Sequence, residues 1–398
     1  MRHALLTEQW FPGIGGSIQL FDALYGRHLP PGDSVHVIAG GAPSTRALDA
    51  DYPRPVTRFD DRRYPWMKPE SALEYARMTA AAMRVCRRER IEVLHAARVI
   101  PEGLVALAVH RALGVPYTVW VHGEEVSVFL RYAVKKRLMP RVFGEARAVF
   151  ANSTFTQGRA LLAGAPPELL HVVNPGVDAT LFGADVDPST VVARHGLGGR
   201  TVLLTVGRLT RRKGHDTVLA ALARLRASGA LGDAVWMVLS DGELESELKQ
   251  TCTALGLDDV VRWVGPVRRE ELPGYYAAAD VFVHPNRALE DDDVEGFGMV
   301  FLEASAAGVP VIGGRSGGVV DAVEDGVSGI LVDGTSLDEV AGALGRLLGD
   351  GPLRKRMGEA GPRWARRFAW ERQAARVRSI AAGEGDPGSD DDPRPAGA

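Results

Sequence analysis

Residues 201–214 read Thr-Val-Leu-Leu-Thr-Val-Gly-Arg-Leu-Thr-Arg-Arg-Lys-Gly, and this stretch indicates how the chain folds. Its first six residues are mostly apolar, glycine and basic side chains follow, and a helical stretch begins at Asp216. Apolar runs of this kind, without strict alternation, are typical of strands that are buried on both faces. The stretch therefore predicts a strand, a loop and a helix, which together form the repeating unit of a parallel α/β sheet.

The same unit recurs in two series along the chain. In the first half, strand-like runs occupy residues 4–7, 35–39, 91–95, 117–121, 148–151 and 171–173. In the second half, they occupy residues 201–206, 235–239, 260–264, 281–284, 309–312 and 329–332. Two such series predict two doubly wound α/β domains, with a boundary at the Pro-Gly turn within 174–178. Ligands of such domains bind outside the carboxyl ends of the strands.

The composition is typical of a globular protein that folds in water. The chain has 398 residues, 45% of them hydrophobic, and this length predicts two domains of about 150–200 residues. No apolar run approaches the roughly 20 residues that cross a bilayer, and the first residues lack the apolar core of a secretory signal. The two cysteines, Cys86 and Cys252, exclude a disulfide framework and a zinc cluster. With a net charge of −3, we expect a cytoplasmic protein without a nucleic-acid partner.

Two motifs in the first half follow predicted strands. Residues 10–17 (Trp-Phe-Pro-Gly-Ile-Gly-Gly-Ser) precede a helix, and Gly15 and Gly16 allow backbone N–H groups to approach a phosphate or carbonyl oxygen. A plain tight turn is the alternative interpretation. His122 follows the strand at 117–121 and is placed to hydrogen-bond a polar ligand, although such a histidine is more often satisfied within the protein.

Basic residues follow the strand that opens the second series. Arg208 comes directly after the strand, and Lys213 stands with Gly214 at the entrance of the next helix. A guanidinium offers a planar fork to phosphate oxygens, and an ammonium offers a compact charge. These residues predict a phosphate or diphosphate site, and a solvated basic loop is the alternative.

Residues 295–304 read Glu-Gly-Phe-Gly-Met-Val-Phe-Leu-Glu-Ala and carry two glutamates eight residues apart. A helix is predicted from about residue 298 to 307, so Glu295 precedes it and Glu303 lies two turns in, among apolar residues. A carboxylate in such surroundings needs a partner, and a pair of ligand hydroxyls would supply one. The segment could hold an anion on backbone amides while one carboxylate binds sugar hydroxyls and the other binds a ribose.

This Glu-x7-Glu segment resembles the signature of the family-4 retaining glycosyltransferases, which have the GT-B fold. It follows a strand that ends in His284-Pro285 and precedes Ala-Ala-Gly-Val-Pro-Val-Ile at 306–312. Further motifs of the family occur in order over nearly the whole chain, at residues 15–16, 122–123, 174–178, 207–208, 213–214, 240–242, 263–265, 317–318 and 325–329. Residues 122–125, the loop at Arg287 and residues 293–296 most resemble phosphatidylinositol-mannoside mannosyltransferases and related polysaccharide enzymes.

The resemblance implies two Rossmann-like domains that face each other across a cleft. Residues 1–176 would bind the acceptor, and residues 177–367 would bind the nucleotide sugar. A last helix at about 368–382 would cross back onto the first domain. The acidic tail at 383–398 is expected to be disordered because of its composition.

The resemblance also implies a role for each motif residue. The implied donor contacts are Arg208 and Lys213 on the diphosphate, Glu303 on the ribose, Glu295 with the amides of Phe297, Gly298 and Met299 on the sugar, Val264 and Gly265 beside the base, and Gly15 and Gly16 on the diphosphate. His122 would meet the sugar from the first domain, and it is expected to be catalytic together with Arg208, Lys213 and Glu295.

The implied reaction moves a hexose from a nucleotide-diphosphate sugar to a glycolipid, polysaccharide or other hydroxyl acceptor, with retention at the anomeric carbon. GDP-mannose is the favoured donor, and UDP-glucose and UDP-N-acetylglucosamine are the alternatives. No metal or other cofactor is expected, because cations and helix amides already serve the diphosphate. A sugar-nucleotide 2-epimerase of the same fold and a catalytically silent nucleotide- or glycan-binding member are the competing functions.

Three features depart from the family or leave alternatives open. Ser240 stands where the family usually has glycine, so the turn it forms has less backbone freedom. The acidic run at 290–293 favours a solvated or acceptor-facing loop over a metal site. Residues 131–141 are basic with interleaved apolar residues, which fits either peripheral contact with the inner face of an anionic membrane or a solvated helix packed through Val134 and Leu138.

Overall fold

Short apolar runs form parallel strands in both halves of the chain. The computed structural model describes residues 1–13, 15–41, 45–60, 69–183, 185–289 and 293–388. These residues form two units, one comprising Met1–Pro175 with Trp370–Ala398 and the other comprising Gly176–Ala369.

The first unit is built on a seven-stranded parallel sheet with the order β3-β2-β1-β4-β5-β6-β7. Its strands are β1 (Arg2–Thr7), β2 (Ser34–Gly40), β3 (Val56–Phe59), β4 (Val93–Ala96), β5 (Tyr117–Val121), β6 (Ala148–Ala151) and β7 (Leu170–Val172). Its helices are α1 (Gly16–Phe21, continued by a π-helical turn at Asp22–Arg27), α2 (Arg46–Asp49), α3 (Pro69–Arg88), α4 (Glu102–Leu113), α5 (Glu124–Phe129), α6 (Ala133–Gly144) and α7 (Thr154–Leu162).

The second unit is built on a six-stranded parallel sheet with the order β10-β9-β8-β11-β12-β13. Its strands are β8 (Val202–Val206), β9 (Val235–Leu239), β10 (Val261–Gly265), β11 (Val281–His284), β12 (Val311–Gly314) and β13 (Gly329–Val332). Its helices are α8 (Ser189–His195), α9 (His215–Ala227), α10 (Glu245–Ala254), α11 (Leu272–Ala277), α12 (Met299–Ala306), α13 (Val319–Ala322), α14 (Leu337–Gly349) and α15 (Gly351–Ala365). The chain then returns to the first unit as α16 (Trp370–Ala382).

Burial on both faces explains the strand sequences. All five residues of β5 and all five of β9 are buried, so these strands carry apolar residues without alternation. The predicted fold class, two doubly wound Rossmann-like domains, is confirmed.

In each sheet the chain order reverses next to the first strand of the series, at the β1–β4 pair and at the β8–β11 pair. Such switch points are where doubly wound sheets bind ligands.

The C-terminal helix packs within the first unit and carries part of the predicted tail with it. Trp370 and Val377 of α16 are buried. Beyond the helix, Asp386 accepts hydrogen bonds from Arg376 Nε at 2.6 Å and from His171 Nδ1 at 3.2 Å. This fixed contact differs from the disorder predicted over 383–398, because Arg376 offers the tail a partly buried cation. Residues 389–398 lie outside the described part of the chain.

Candidate active site

Two loops meet at the switch point of the second unit. One follows β8 and contains a 3₁₀ turn at Arg211–Lys213, and the other follows β11. Gly214 has a φ of +75°, and a Cβ at this position would lie 2.3 Å from the carbonyl oxygen of Pro285. Only glycine allows this approach. The Arg287 N–H also donates to the Arg212 carbonyl at 2.8 Å, so the two loops are held together at the carboxyl edge of the sheet.

A cluster of charged and polar side chains joins these loops. Glu295 accepts hydrogen bonds at Oε2 from Lys213 Nζ, from Arg212 Nη1 at 2.6 Å and from Asn286 Nδ2 at 3.0 Å. Arg212 Nε also lies 2.9 Å from Asp293 Oδ1. Lys213 is 9% exposed and Asn286 is 1% exposed, so the cluster is largely shielded from water. One carboxylate oxygen is thus fixed by three donors, and two of them are cations.

The cations determine the charge state of Glu295. Burial alone would raise the pKa of its carboxyl, but the charges of Lys213 and Arg212 outweigh burial and lower the pKa to about 2. Burial lowers the pKa of Lys213, and the Glu295 carboxylate opposes that shift. Glu295 is therefore a weakly basic carboxylate that stays ionised at every pH at which the protein is expected to work.

Arg208 contrasts with the cations of this cluster. It follows Gly207 at the end of β8, and its side chain is exposed. Its guanidinium donates to no group that the structure describes. An exposed cation at the carboxyl end of β8, in the same loop as Lys213, favours an anionic ligand at this edge of the sheet.

Two buried histidines lie close to the cluster and add no positive charge. His284 ends β11 and His215 begins α9, with their ring centroids 5.8 Å apart. Burial, aided by the charge of Lys213, holds the pKa of His284 well below its usual value and lowers the pKa of His215 to about 4. Both rings are neutral at pH 7, so the positive character of the site comes from lysine and arginine.

The N-terminus of α12 lies directly after Glu295. Gly298 caps the helix with a φ of +91°, and a Cβ there would lie 2.7 Å from the Phe301 ring. Phe297 is buried and packs against Phe368 at a centroid distance of 6.0 Å. The backbone N–H groups of Phe297 and Gly298 donate to no acceptor among the residues described, and Met299 is the first residue of the helix. These amides and the helix dipole favour a ligand oxygen at this position.

Glu303 lies on α12, two turns from the cap, and is 7% exposed. Its Oε2 accepts a hydrogen bond from the hydroxyl of Tyr276 at 2.8 Å. Burial raises the pKa of Glu303, while the Tyr276 hydrogen bond and the charge of Arg269 oppose that rise. The two glutamates of the motif are therefore held differently, Glu295 by cations and Glu303 by a tyrosine.

The predicted residues of the first unit lie after β1 and β5. His122 Nε2 donates to the Ala97 carbonyl at 2.9 Å, and its ring stacks on Trp120 at 6.4 Å. Gly15 has an extended backbone with a φ of 172°, and a Cβ there would meet nothing within 4 Å. Gly16 begins α1. The fold therefore does not itself require glycine at position 15.

Two family profiles together match most of the chain. The profile described as Glycosyl transferases group 1 matches residues 191–364, and the profile described as Glycosyltransferase Family 4 matches residues 20–181. A GDP-mannose-dependent alpha-(1-6)-phosphatidylinositol monomannoside mannosyltransferase of Mycolicibacterium smegmatis is 32% identical over 386 residues, which cover 95% of this chain and 98% of the relative. The chain belongs to the family-4 glycosyltransferases. It is a hexosyltransferase that uses a nucleotide sugar.

Other relatives and solved structures agree with this family membership. A D-inositol 3-phosphate glycosyltransferase of Arthrobacter is 30% identical over 368 residues, covering 87% of this chain and 80% of the relative. The structure of Anabaena HepE in complex with UDP superposes with a TM-score of 0.80 at 21% identity, and covers 96% of this chain and 100% of that chain. At that identity the superposition shows the fold alone, which is GT-B.

The turn at Ser240, where the resemblance leads us to expect glycine, forms in the structure with a serine. Ser240 has a φ of +113°, a backbone region that L-residues rarely adopt. Its N–H donates to the Gly265 carbonyl at 2.8 Å, so the turn that follows β9 is tied to the end of β10, where Val264 and Gly265 lie. Ser240 therefore accepts backbone strain at the edge of the sheet that carries the site.

Several residues of the glycosyltransferase site escape prediction from sequence. Arg212 lies within the basic run that indicates the anion site, but nothing in that run distinguishes it from Arg211. Asn286 directly follows the Pro285 that marks the family signature. Tyr276 carries no signal at all, because a tyrosine on a short helix is ordinarily a core residue. Asp293 is the one member of the acidic run 290–293 that the structure describes.

No group of three or more His, Cys, Asp or Glu side chains that could hold a metal ion occurs within the described ranges. The described part of this glycosyltransferase likewise contains no helix that is long and apolar enough to span a membrane.

Proposed function

We propose that the chain transfers mannose from GDP-mannose to a hydroxyl group of a glycolipid or polysaccharide, with retention at the anomeric carbon. The observation that carries the proposal is the contact between Lys213 and Glu295 beside the N-terminus of α12. Through this contact, the Lys213 ammonium, which suits a diphosphate, lies next to the Glu295 carboxylate, which suits sugar hydroxyl groups. The choice of donor is supported by the mannosyltransferase of Mycolicibacterium smegmatis, whose name specifies GDP-mannose.

The residues of the second unit fit the charge that develops in such a transfer. The bond between the anomeric carbon and the diphosphate oxygen breaks, and Arg208 with Lys213 stabilises the negative charge that grows on the leaving group. The acceptor oxygen then bonds to the anomeric carbon on the face that the diphosphate leaves. The proton of the acceptor hydroxyl passes to a phosphate oxygen of the leaving group, so the step needs no further base.

Glu295 suits a binding role better than a nucleophilic one. Three donors hold its Oε2, and the charges of two of them lower its pKa to about 2 despite burial. A carboxylate of such low basicity is a poor nucleophile, but it remains a hydrogen-bond acceptor for the hydroxyl groups of the hexose. This supports the front-face route, which requires no covalent glycosyl-enzyme intermediate.

Nucleotide binding and transfer test this proposal directly. We expect calorimetry to show GDP binding at least about tenfold more tightly than UDP or ADP, because specificity for a base requires contacts that the wrong base leaves unpaired. Transfer from GDP-mannose to a mannosylated phosphatidylinositol is followed by the release of GDP, and the anomeric configuration of the product is read by NMR. We expect EDTA to leave the transfer rate unchanged, since cationic side chains serve the diphosphate.

The possible outcomes separate the alternatives. A preference for UDP compounds would replace the donor with UDP-glucose or UDP-N-acetylglucosamine. Conversion of a UDP-sugar to its 2-epimer without any acceptor would indicate the epimerase, and nucleotide binding without turnover would indicate a silent member. An inverted product would contradict the front-face route. Inhibition by EDTA that Mg²⁺ or Mn²⁺ reverses would place a metal at the acidic run 290–293.

We also propose that α6 brings the enzyme to an anionic membrane that carries its acceptor. Tyr132 and Val134 are 51% and 47% exposed, and the exposed cations Lys136, Arg137 and Arg141 accompany them. The helix packs through Lys135, Met139, Val142 and Phe143. Of the two residues named in the alternative of a packed helix, Leu138 is partly buried against the same core, whereas Val134 is exposed. Aromatic and aliphatic groups among exposed cations suit a lipid surface of negative charge.

Vesicle sedimentation tests this membrane contact. We expect the wild-type chain to bind phosphatidylcholine vesicles only when they contain phosphatidylglycerol, and charge reversal of Lys136, Arg137 and Arg141 to glutamate to weaken binding at least about tenfold. The matched control reverses three exposed arginines of α3, namely Arg84, Arg87 and Arg88. If both triple variants lose vesicle binding to the same extent, binding depends on the net charge of the protein alone, and α6 has no specific role.

A further inference from the structure

We infer that Tyr276 is a positioning residue that orients Glu303 toward the ribose hydroxyl groups of the nucleotide, and that it thereby sets the preference for ribose over deoxyribose. The inference rests on the proposed use of a nucleotide sugar. It assigns a function to a residue that lies outside all of the sequence motifs described above. Its basis is the hydrogen bond from the Tyr276 hydroxyl to Glu303 Oε2 at 2.8 Å.

Packing against neighbouring aromatic rings fixes the Tyr276 ring. The side chain is 0% exposed and lies on α11. Its ring packs edge-on against Phe182 at a centroid distance of 5.5 Å and in a tilted arrangement against Phe282 at 5.9 Å. A ring held in this way fixes the position of the hydroxyl oxygen, 2.8 Å from Glu303 Oε2. The tyrosine therefore selects one rotamer of the carboxylate.

The remaining acceptor capacity of Glu303 matches a diol. Oε2 receives the Tyr276 hydroxyl, and no donor among the described residues reaches Oε1. An ionised carboxylate has about four lone-pair positions, so one hydrogen bond leaves room for two vicinal hydroxyl groups. Arg269 lies near enough for its charge to favour the ionised carboxylate, and its Nε is buried without a partner among the residues described.

The Tyr276 hydrogen bond also favours the charged form of Glu303. Burial favours the neutral carboxylic acid, and the donated hydrogen bond opposes that effect. A neutral acid would offer a hydroxyl group of its own in place of one acceptor, and it would bind a ribose diol less well. Removing the tyrosine hydroxyl should therefore weaken the recognition of ribose without removing the diphosphate contacts at Arg208 and Lys213.

The test compares ribonucleotides with deoxyribonucleotides. Calorimetry with GDP and 2′-deoxy-GDP, and with UDP and 2′-deoxy-UDP, gives an affinity ratio for each base. In the wild-type chain, we expect the ribonucleotide to bind about tenfold or more tightly than the deoxyribonucleotide. In the Tyr276→Phe variant, we expect this preference to fall to about threefold or less. The affinity of that variant for the deoxynucleotide should remain close to the wild-type value.

Tyr275 supplies a matched control on the same helix. It is also buried, but its hydroxyl contacts His195 Nε2 at 3.2 Å instead of Glu303. Tyr275→Phe removes the same atom from the adjacent residue, and it should leave the affinity ratio unchanged. If both variants lose the preference equally, or if Tyr276→Phe keeps the wild-type ratio, the inference is wrong.

A double-mutant cycle keeps the test decisive if Tyr276→Phe alone proves unstable. The double variant Tyr276→Phe/Glu303→Gln no longer buries a carboxylate that lacks its donor, so it should fold where the single variant does not. If Tyr276 acts through Glu303, the double variant binds GDP as Glu303→Gln does. If the double variant binds GDP more weakly than Glu303→Gln does, the inference is wrong. A wild-type chain that binds no nucleotide would instead contradict the proposed function itself.

Discussion

Replacing Lys213 with methionine is expected to lower kcat/KM for transfer about 10²–10³-fold while the chain remains folded. The side chain is 9% exposed, so methionine preserves its packing and removes only the charge. Glu295 keeps Arg212 and Asn286 as donors, so its buried carboxylate is not left without partners. The variant therefore isolates the contribution of the ammonium to the reaction.

The physical reason for this loss lies in the leaving group. Negative charge on the diphosphate grows as its bond to the anomeric carbon breaks, and a preorganised cation stabilises that charge more in the transition state than in the ground state. The loss should accordingly appear in kcat as well as in KM. Nucleotide affinity should also fall about tenfold or more, because one charge-assisted contact to the diphosphate is lost.

Arg211 provides the control for this substitution. It lies in the same 3₁₀ turn, but its side chain is 55% exposed and its ion-pair partner is Glu247 at 3.5 Å. Exposed ion pairs contribute little, so Arg211→Met should change kcat/KM by no more than about twofold. Initial rates and thermal unfolding curves for both variants give the comparison. A Lys213→Met variant that keeps more than about a third of the wild-type kcat/KM would show that Lys213 serves the internal ion pair alone.

The fold could be predicted from sequence because its strands are buried on both faces. Continuous apolar runs such as β5 and β9 report that burial directly, and the predicted ends of the strands differ from the observed ends by at most two residues. Strand β3 escaped prediction because it lies at the edge of its sheet and is half-buried. Its Arg58 is satisfied by Asp49 and by the carbonyl of Gly40, which no local pattern reveals.

The side-chain contacts of the site could not be predicted in the same way. The residue types and their positions after strands indicate an anion site and a carboxylate pair. The meeting of Lys213 and Glu295, which are 82 residues apart, depends on β8 and β11 being neighbours at the switch point. The 3₁₀ turn then decides that Arg212 and Lys213 face Glu295 while Arg211 remains exposed. Ser240 shows a different limit, since a residue in a strained backbone conformation leaves no trace in composition or periodicity.

Replacing Glu295 with glutamine should change nucleotide binding and transfer in opposite directions. Lys213 is paired with Glu295, so a diphosphate that binds Lys213 has to share the ammonium with that carboxylate. Glutamine removes the competing charge, and we expect GDP affinity to stay the same or to rise by up to about tenfold. Transfer should fall at least about 10²-fold, because the hexose loses an ionised acceptor for its hydroxyl groups.

Stability provides a second readout with a defined pH dependence. The pKa of Glu295 is lowered to about 2 in the folded chain and is about 4.3 when unfolded. Its stabilising contribution is therefore complete above the unfolded value, and it is lost as pH falls from about 4.3 through about 2. Glu295→Gln lacks this contribution at every pH. The Tm difference between wild type and variant should be largest at neutral pH and should narrow as the pH falls below about 4.

Glu247→Gln is the control that separates these effects from a general loss of negative charge. Glu247 is exposed and pairs with Arg211, so its replacement should alter neither GDP affinity nor transfer by more than about twofold. If GDP affinity and transfer both fall in Glu295→Gln, the carboxylate supports the shape of the diphosphate site and does not contact the hexose. If transfer persists at the wild-type rate, another group must hold the sugar. Only a loss of transfer with retained or improved GDP binding assigns Glu295 to the hexose, because the two halves of the donor are then affected separately.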